Sequence, residues 1–169
     1  MKIEFAFKSF IPKQVPIPLS WVKFKNGNRQ VNLLCVVDSG ADFCTVPMPI
    51  GIMELGIDFN KNRAPYELVQ EWHNLDKSDK AKLEEFINKI IEKKLIIPME
   101  IGCACGKGTT SYLFAVEIEI GEFKKTVLVN WIDSTNVSGL SALLGRVGVF
   151  DQMDAVVFNT KEGKGFFEK

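Results

Sequence analysis

Apolar and polar residues alternate with a period of two near both ends of the chain and recur with a period near 3.6 in its middle. Residues 2–7 (KIEFAF) alternate as a strand does. Residues 17–25 (IPLSWVKFK), the turn Asn26-Gly27-Asn28 and residues 29–37 (RQVNLLCVV) predict a hairpin, because an Asn-Gly pair tolerates the positive φ of a tight turn between twisted strands. A second hairpin is predicted from 111–120 (SYLFAVEIEI), Gly121-Glu122 and 123–131 (FKKTVLVNW), and a last strand from 155–159 (AVVFN). Short strands punctuated by turns predict a β-barrel or sandwich.

The middle of the chain reads differently. Leu83, Phe86, Ile87, Ile90 and Ile91 recur at helical spacing within 79–94, behind Ser78 as a candidate N-cap and ahead of Lys93-Lys94. A second helix is predicted over 65–75, with Tyr66, Leu68, Val69 and Trp72 on its buried side. Residues 1–169 therefore read as one mainly β domain with a helical insertion at about 50–95. The charges at Lys80, Lys82, Glu84, Glu85, Lys89 and Glu92 fit a solvated helix face.

Composition narrows the function classes. With 46% hydrophobic and 25% charged residues in 169, the chain can build a core. Lys+Arg and Asp+Glu both total 21, so no net positive field draws it to phosphate backbones, and nucleic acid is not an expected partner. No apolar run approaches the roughly 18 residues of a membrane span. The N-terminus, Met1-Lys2-Ile3-Glu4, lacks a basic-then-apolar leader, so no membrane association is expected and the cytoplasm is the expected location.

Four cysteines are too few and too scattered for a disulfide scaffold. Cys35 and Cys44 sit beside apolar strand patterns as small hydrophobes do. Cys103 and Cys105 form a C-x-C, but the single histidine, His73, lies far off in a helical stretch, so no zinc ligand set and no cofactor is expected. The stretch from Gly102 to Thr110 fails as a phosphate loop, having three residues between its glycines and Gly108 after the lysine. Asn136-Val137-Ser138 fits a glycosylation sequon that has no consequence without a secretory leader.

What carries chemistry is an aspartate at the end of an apolar strand. Leu33-Leu34-Cys35-Val36-Val37 delivers Asp38 into Ser39-Gly40-Ala41, where a small hydroxyl and a glycine let backbone approach closely. The tripeptide alone is ordinary Asx-turn chemistry. Its context is more specific. Asp38-Ser39-Gly40-Ala41-Asp42 resembles the D-[ST]-G-A-D signature of the retropepsins, the retroviral-type aspartic proteases. Leu143-Leu144-Gly145-Arg146 resembles their apolar-apolar-Gly-Arg segment about a hundred residues later. Between these, Met99 to Gly106 is similar to the glycine-rich tip of the family's flap hairpin. The segments 117–121 and 126–129 resemble the two strands that follow it. The similarity covers most of the chain outside the helical insertion, in the same order.

The resemblance implies a retropepsin-like closed β-barrel, the acid protease fold in a single lobe, and an aspartic endopeptidase. Members of the family use two facing aspartates, each in a D-[ST]-G turn. Carboxylates roughly 3 Å apart cannot both ionise, so the pair shares a proton. The chain holds one such turn, since Asp133-Ser134-Thr135 breaks the pattern and Asp151 and Asp154 lack it. Catalysis therefore implies a homodimer that brings Asp38 from both subunits to the axis, with Ser39 bracing the dyad beside Gly40. By the same resemblance Asp42 pairs with Arg146, one of few arginines in a lysine-rich chain, with Gly145 beside it as structural support. A peptide or protein substrate would pair with the flap as an added strand. It would lie against Ala41, Asp42, Ile101, Gly102, Cys103, Ala104, Cys105 and Gly106. The C-x-C departs from the glycine pattern of relatives and leaves a redox-gated flap open as a minor reading. Strand 2–7 and the tail Phe166-Phe167 either interdigitate at a dimer interface or pack on their own subunit. The alternative to an enzyme is a catalytically inactive retropepsin-fold module that binds peptides or proteins.

Overall fold

A computed structural model describes the chain except residues 10, 11, 13, 103–107 and 134–141. It is mainly β. Strands β1 (Lys2–Lys8), β2 (Ile17–Asn26), β3 (Arg29–Val37) and β4 (Cys44–Pro47) come first. Helices α1 (Met48–Met53), α2 (Tyr66–Asn74) and α3 (Lys80–Lys93) follow, all before β5 (Ile97–Gly102). Then come β6 (Gly108–Ile120), β7 (Phe123–Ile132), the two-residue β8 (Leu143–Leu144), a 3₁₀ turn at Phe150–Gln152, β9 (Ala155–Asn159) and β10 (Lys164–Glu168).

The strands form one mixed sheet in the order β5-β6-β7-β4-β8-β3-β2-β1-β10-β9. An additional pairing of β2 with β6, through Phe24 opposite Ile118, joins six of the strands in a ring. The turn at Gly27 adopts φ +59°, which the Asn-Gly pair supplies without a Cβ penalty. The ring encloses a core that includes Phe24, Cys35, Cys44, Val46, Ile118, Val129, Trp131 and Leu144. Each such large apolar side chain contributes about 1.5–3 kcal/mol by leaving water. Alternation then fixes what the other face of each strand carries.

That other face is covered by the insertion. Leu68 and Trp72 of α2 and Phe86 and Ile90 of α3 pack with Phe43, Ile97, Leu113 and Leu128 in a second cluster. The α3 N-cap is Asp79, whose carboxylate accepts from the Lys82 amide, rather than Ser78. The Ser78 hydroxyl is engaged instead with Asp76 Oδ1 at 2.6 Å. Tyr66 also departs from expectation: it is exposed in the first turn of α2 and contributes nothing to the buried side. His73 lies exposed on the same helix.

The termini pack on their own subunit. β1 pairs with β10 from Lys2 opposite Glu168 to Ala6 opposite Lys164, and β9 adds outside β10. The Phe5 and Phe167 rings lie 5.0 Å apart, tilted, in the core. Among the described residues, no helix is long and apolar enough to cross a membrane.

Candidate active site

Asp38 sits where β3 leaves the ring, held by its neighbours rather than by its own strand alone. The ladder between β3 and β8 runs parallel, with Val36 opposite Leu143 and Val37 opposite Leu144. It ends in the Asp38 amide donating to the Leu144 carbonyl at 3.1 Å. The carboxylate then folds back, and its Oδ1 accepts from the Gly40 amide at 2.8 Å. A Cβ at position 40 would sit 3.2 Å from that oxygen, which explains a glycine there. Ala41 closes the turn by donating to the Asp38 carbonyl at 3.2 Å. The side chain of Asp38 is half-buried, and Ser39 and Gly40 are exposed.

An Asx turn alone would make the Gly40 contact. The segment after β8 adds what such a turn does not need. The amides of Arg146 and Val147 donate to the carbonyls of Ala41 and Asp42 at 2.9 and 2.7 Å. The Arg146 guanidinium pairs with the Asp42 carboxylate. Gly145 lies so close beneath that a Cβ there would fall 2.5 Å from the Phe43 carbonyl and 3.0 Å from the Ala41 oxygen. β8 is thus wedged between β3 and β4, whose Thr45 pairs with Leu143, and it grips both ends of the turn.

The hairpin of β5 and β6 stands at the end of the sheet, with Ile97 opposite Leu113 and Gly102 opposite Gly108. Among the described strands β5 pairs with β6 alone, and on its other side Ile96, just before it, bridges to Arg63. Of the residues expected to touch substrate, Ile101 and Gly102 fall in β5. Cys103, Ala104, Cys105 and Gly106 lie outside the described residues, as do Ser134 and Asn136. Asp133 follows β7, its amide bonded to the Thr110 carbonyl at 3.1 Å. Among the described residues, no group of three or more His, Cys, Asp or Glu side chains is placed to hold a metal ion.

Cys35 and Cys44, which bracket the turn in sequence, are both buried in the ring. Burial pushes the Cys35 thiol well above its usual range, and burial raises Cys44 to about 11. Neither is a nucleophile at neutral pH.

Reading along the chain missed a buried polar group. Thr45, Ser111 and Asn130 are all buried, and among the described residues neither Ser111 Oγ nor Asn130 Oδ1 has a hydrogen-bond partner. The signal was present as an asparagine interrupting the apolar face Leu128, Asn130, Ile132 of β7, but only the pairing register shows that it meets polar neighbours.

No protein-family model matches the chain, and neither the curated proteins nor the solved structures give a match.

Proposed function

We propose that the chain is an aspartic endopeptidase of retropepsin fold, hydrolysing peptide bonds at a site completed by a second copy of itself. The observation that carries this reading is the grip on the Asp38 turn. The Asp38 carboxylate at the end of β3 accepts from the Gly40 amide, and the turn that carries it is held in turn by the Gly145-Arg146 segment through Ala41 and Asp42. A binding module has no need of a half-buried carboxylate fixed in this way. One chain offers a single such carboxylate, so a two-fold axis is needed to supply the other.

In the dimer the two Asp38 carboxyls share one proton. The ionised carboxylate takes a proton from the water between them as the water oxygen bonds to the peptide carbonyl carbon, and the protonated carboxyl gives its proton to the carbonyl oxygen. Collapse of the resulting diol breaks the C–N bond. The amine leaves with the proton first removed from water, and the second diol proton returns to the dyad. The substrate strand lies along the side of β5 away from β6, beyond the Arg63–Ile96 bridge, where main-chain pairing supplies affinity and alternate side chains enter pockets.

A mixed peptide library incubated with the purified chain tests the reading. The wild type cleaves and is blocked by a statine-like inhibitor, whose hydroxyl stands in for the attacking water. Asp38→Asn still assembles but does not cleave. Cleavage undiminished in Asp38→Asn overturns the mechanism, and peptide binding without cleavage in the wild type favours the inactive binding module.

A further inference from the structure

Strand β9 leaves an unguarded edge at one end of the sheet. It pairs with β10 alone, whereas β1 and β10 are each paired on both sides. Four of its five residues, Ala155, Val156, Val157 and Phe158, are apolar, yet among the described strands β9 alone has no buried residue. Phe158 meets the Phe5 ring edge-on at 5.5 Å and still keeps 38% of its surface exposed. The strand carries no charge, no proline and no bulge, the devices that keep an edge from pairing with another chain.

This edge begins close to the segment that grips the Asp38 turn. Asp151 sits on that segment, its amide donating to the Arg146 carbonyl at 3.1 Å and its Oδ1 accepting from the Gly148 amide at 2.8 Å. Ala155 follows four residues later, at most about 14 Å of extended chain. The charges at the two ends of β9 identify its mate. Asp154 precedes the strand and Lys161 follows it after Thr160; both are exposed, and among the described residues neither is in an ion pair. A second copy related by a two-fold axis normal to the sheet runs antiparallel, so the acidic end of each strand lies alongside the basic end of the other. A parallel mate would set like charges together.

We propose that β9 is the edge through which two copies of this chain associate, pairing antiparallel about Val157 and joining their sheets. This rests on the reading of Asp38 as half of a shared site and names the surface that brings the halves together. Opposite residues in such a pair share a face, so Val157 meets its own copy, Val156 meets Phe158 and Ala155 meets Asn159. The exposed Phe158 ring thereby gains a β-branched cross-strand neighbour, a pairing that stabilises sheets.

Sedimentation of the purified chain with and without the statine-like inhibitor measures the association, and the same samples are assayed for cleavage. The wild type sediments at twice the mass of one chain, and the inhibitor, which needs the completed site, tightens the dimer. Val157→Lys sets two like charges face to face at the axis and raises the dissociation constant at least about tenfold; its cleavage falls with the dimer and returns at high protein concentration. Val157→Cys, in the Cys103→Ser, Cys105→Ser background, is cross-linked by oxidised glutathione, since directly opposite residues lie roughly 4.5–5.5 Å apart at Cα, within disulfide reach. Asn159→Cys, four residues off its own copy, is not. A dimer that survives Val157→Lys, or in which Val157→Cys cross-links no faster than Asn159→Cys, overturns the β9 interface and leaves the protease reading standing. Should Val157→Lys fail to fold, the cross-link decides. A dimer joined at β9 that cleaves nothing keeps the interface and overturns the protease reading, and a chain that stays single with inhibitor present overturns both.

Discussion

The Arg146 guanidinium closes on the Asp42 carboxylate while the Arg146 amide holds the Ala41 carbonyl, so one residue grips the Asp38 turn through both side chain and main chain. Both side chains are more than half exposed, which limits the ion pair to about 1 kcal/mol or less of stability. Its consequence is positional. Arg146→Ala is expected to lower the unfolding free energy by no more than about 1 kcal/mol yet to reduce peptide cleavage at least tenfold. Arg146→Lys keeps the charge without the planar fork and falls between. Urea denaturation and cleavage rates on the same preparations check the split.

Gly145 makes the opposite prediction, of a large structural cost. A methyl group there meets the Phe43 main chain at 2.5 Å, and backbone held between β4 and β8 cannot give way as a flexible side chain would. Gly145→Ala is expected to destabilise the fold by more than about 2 kcal/mol and to abolish activity with it. A urea midpoint unchanged from wild type would refute the wedge.

Away from the site, Glu119 anchors a three-lysine cluster. Hydrogen bonds from Lys25, Lys23 and Lys124 hold its carboxyl at about 2, well below the ordinary value of 4.5. Because the folded value is depressed, the stabilisation is complete above about pH 4.5 and is lost as pH falls toward 2. Glu119→Gln should therefore melt below the wild type at neutral pH, with the gap closing between those limits. Melting curves across that range test it, and a gap that persists to pH 2 contradicts it.

Thiol accessibility offers a further check. Cys35 and Cys44 are buried with raised pKa values, so iodoacetamide should leave both unlabelled in the folded protein and modify both in denaturant. Mass mapping of the labelled positions distinguishes them from Cys103 and Cys105. Labelling of either buried cysteine at a rate typical of free thiols contradicts the placement of the ring.

The strands with long unbroken alternation, β2, β3, β6 and β7, were legible in the sequence because each presents one apolar face over many residues. The turn at Asp38 was legible because its motif is local. β8 was not. Two residues carry no period, and Leu143-Leu144 becomes a strand only through its neighbours β3 and β4. β4 and α1 escaped for a related reason: Cys44–Pro47 and Met48–Met53 are short and follow one another without a turn signal. β10 was hidden by its brevity and is defined by pairing with β1 and β9. The Ser111 and Asn130 pair lies in two strands that were each legible, but their meeting depends on register, which alternation alone does not set.

The central claim is that two copies of Asp38 meet across a two-fold axis, and the separation of their carboxylates in a crystal of the inhibitor-bound protein measures it directly. The account predicts a symmetric dimer with the two carboxyl groups within hydrogen-bonding distance, roughly 3 Å. A chain that remains single with inhibitor bound, or a dimer whose Asp38 carboxyls stand farther apart than one water can bridge, would contradict it.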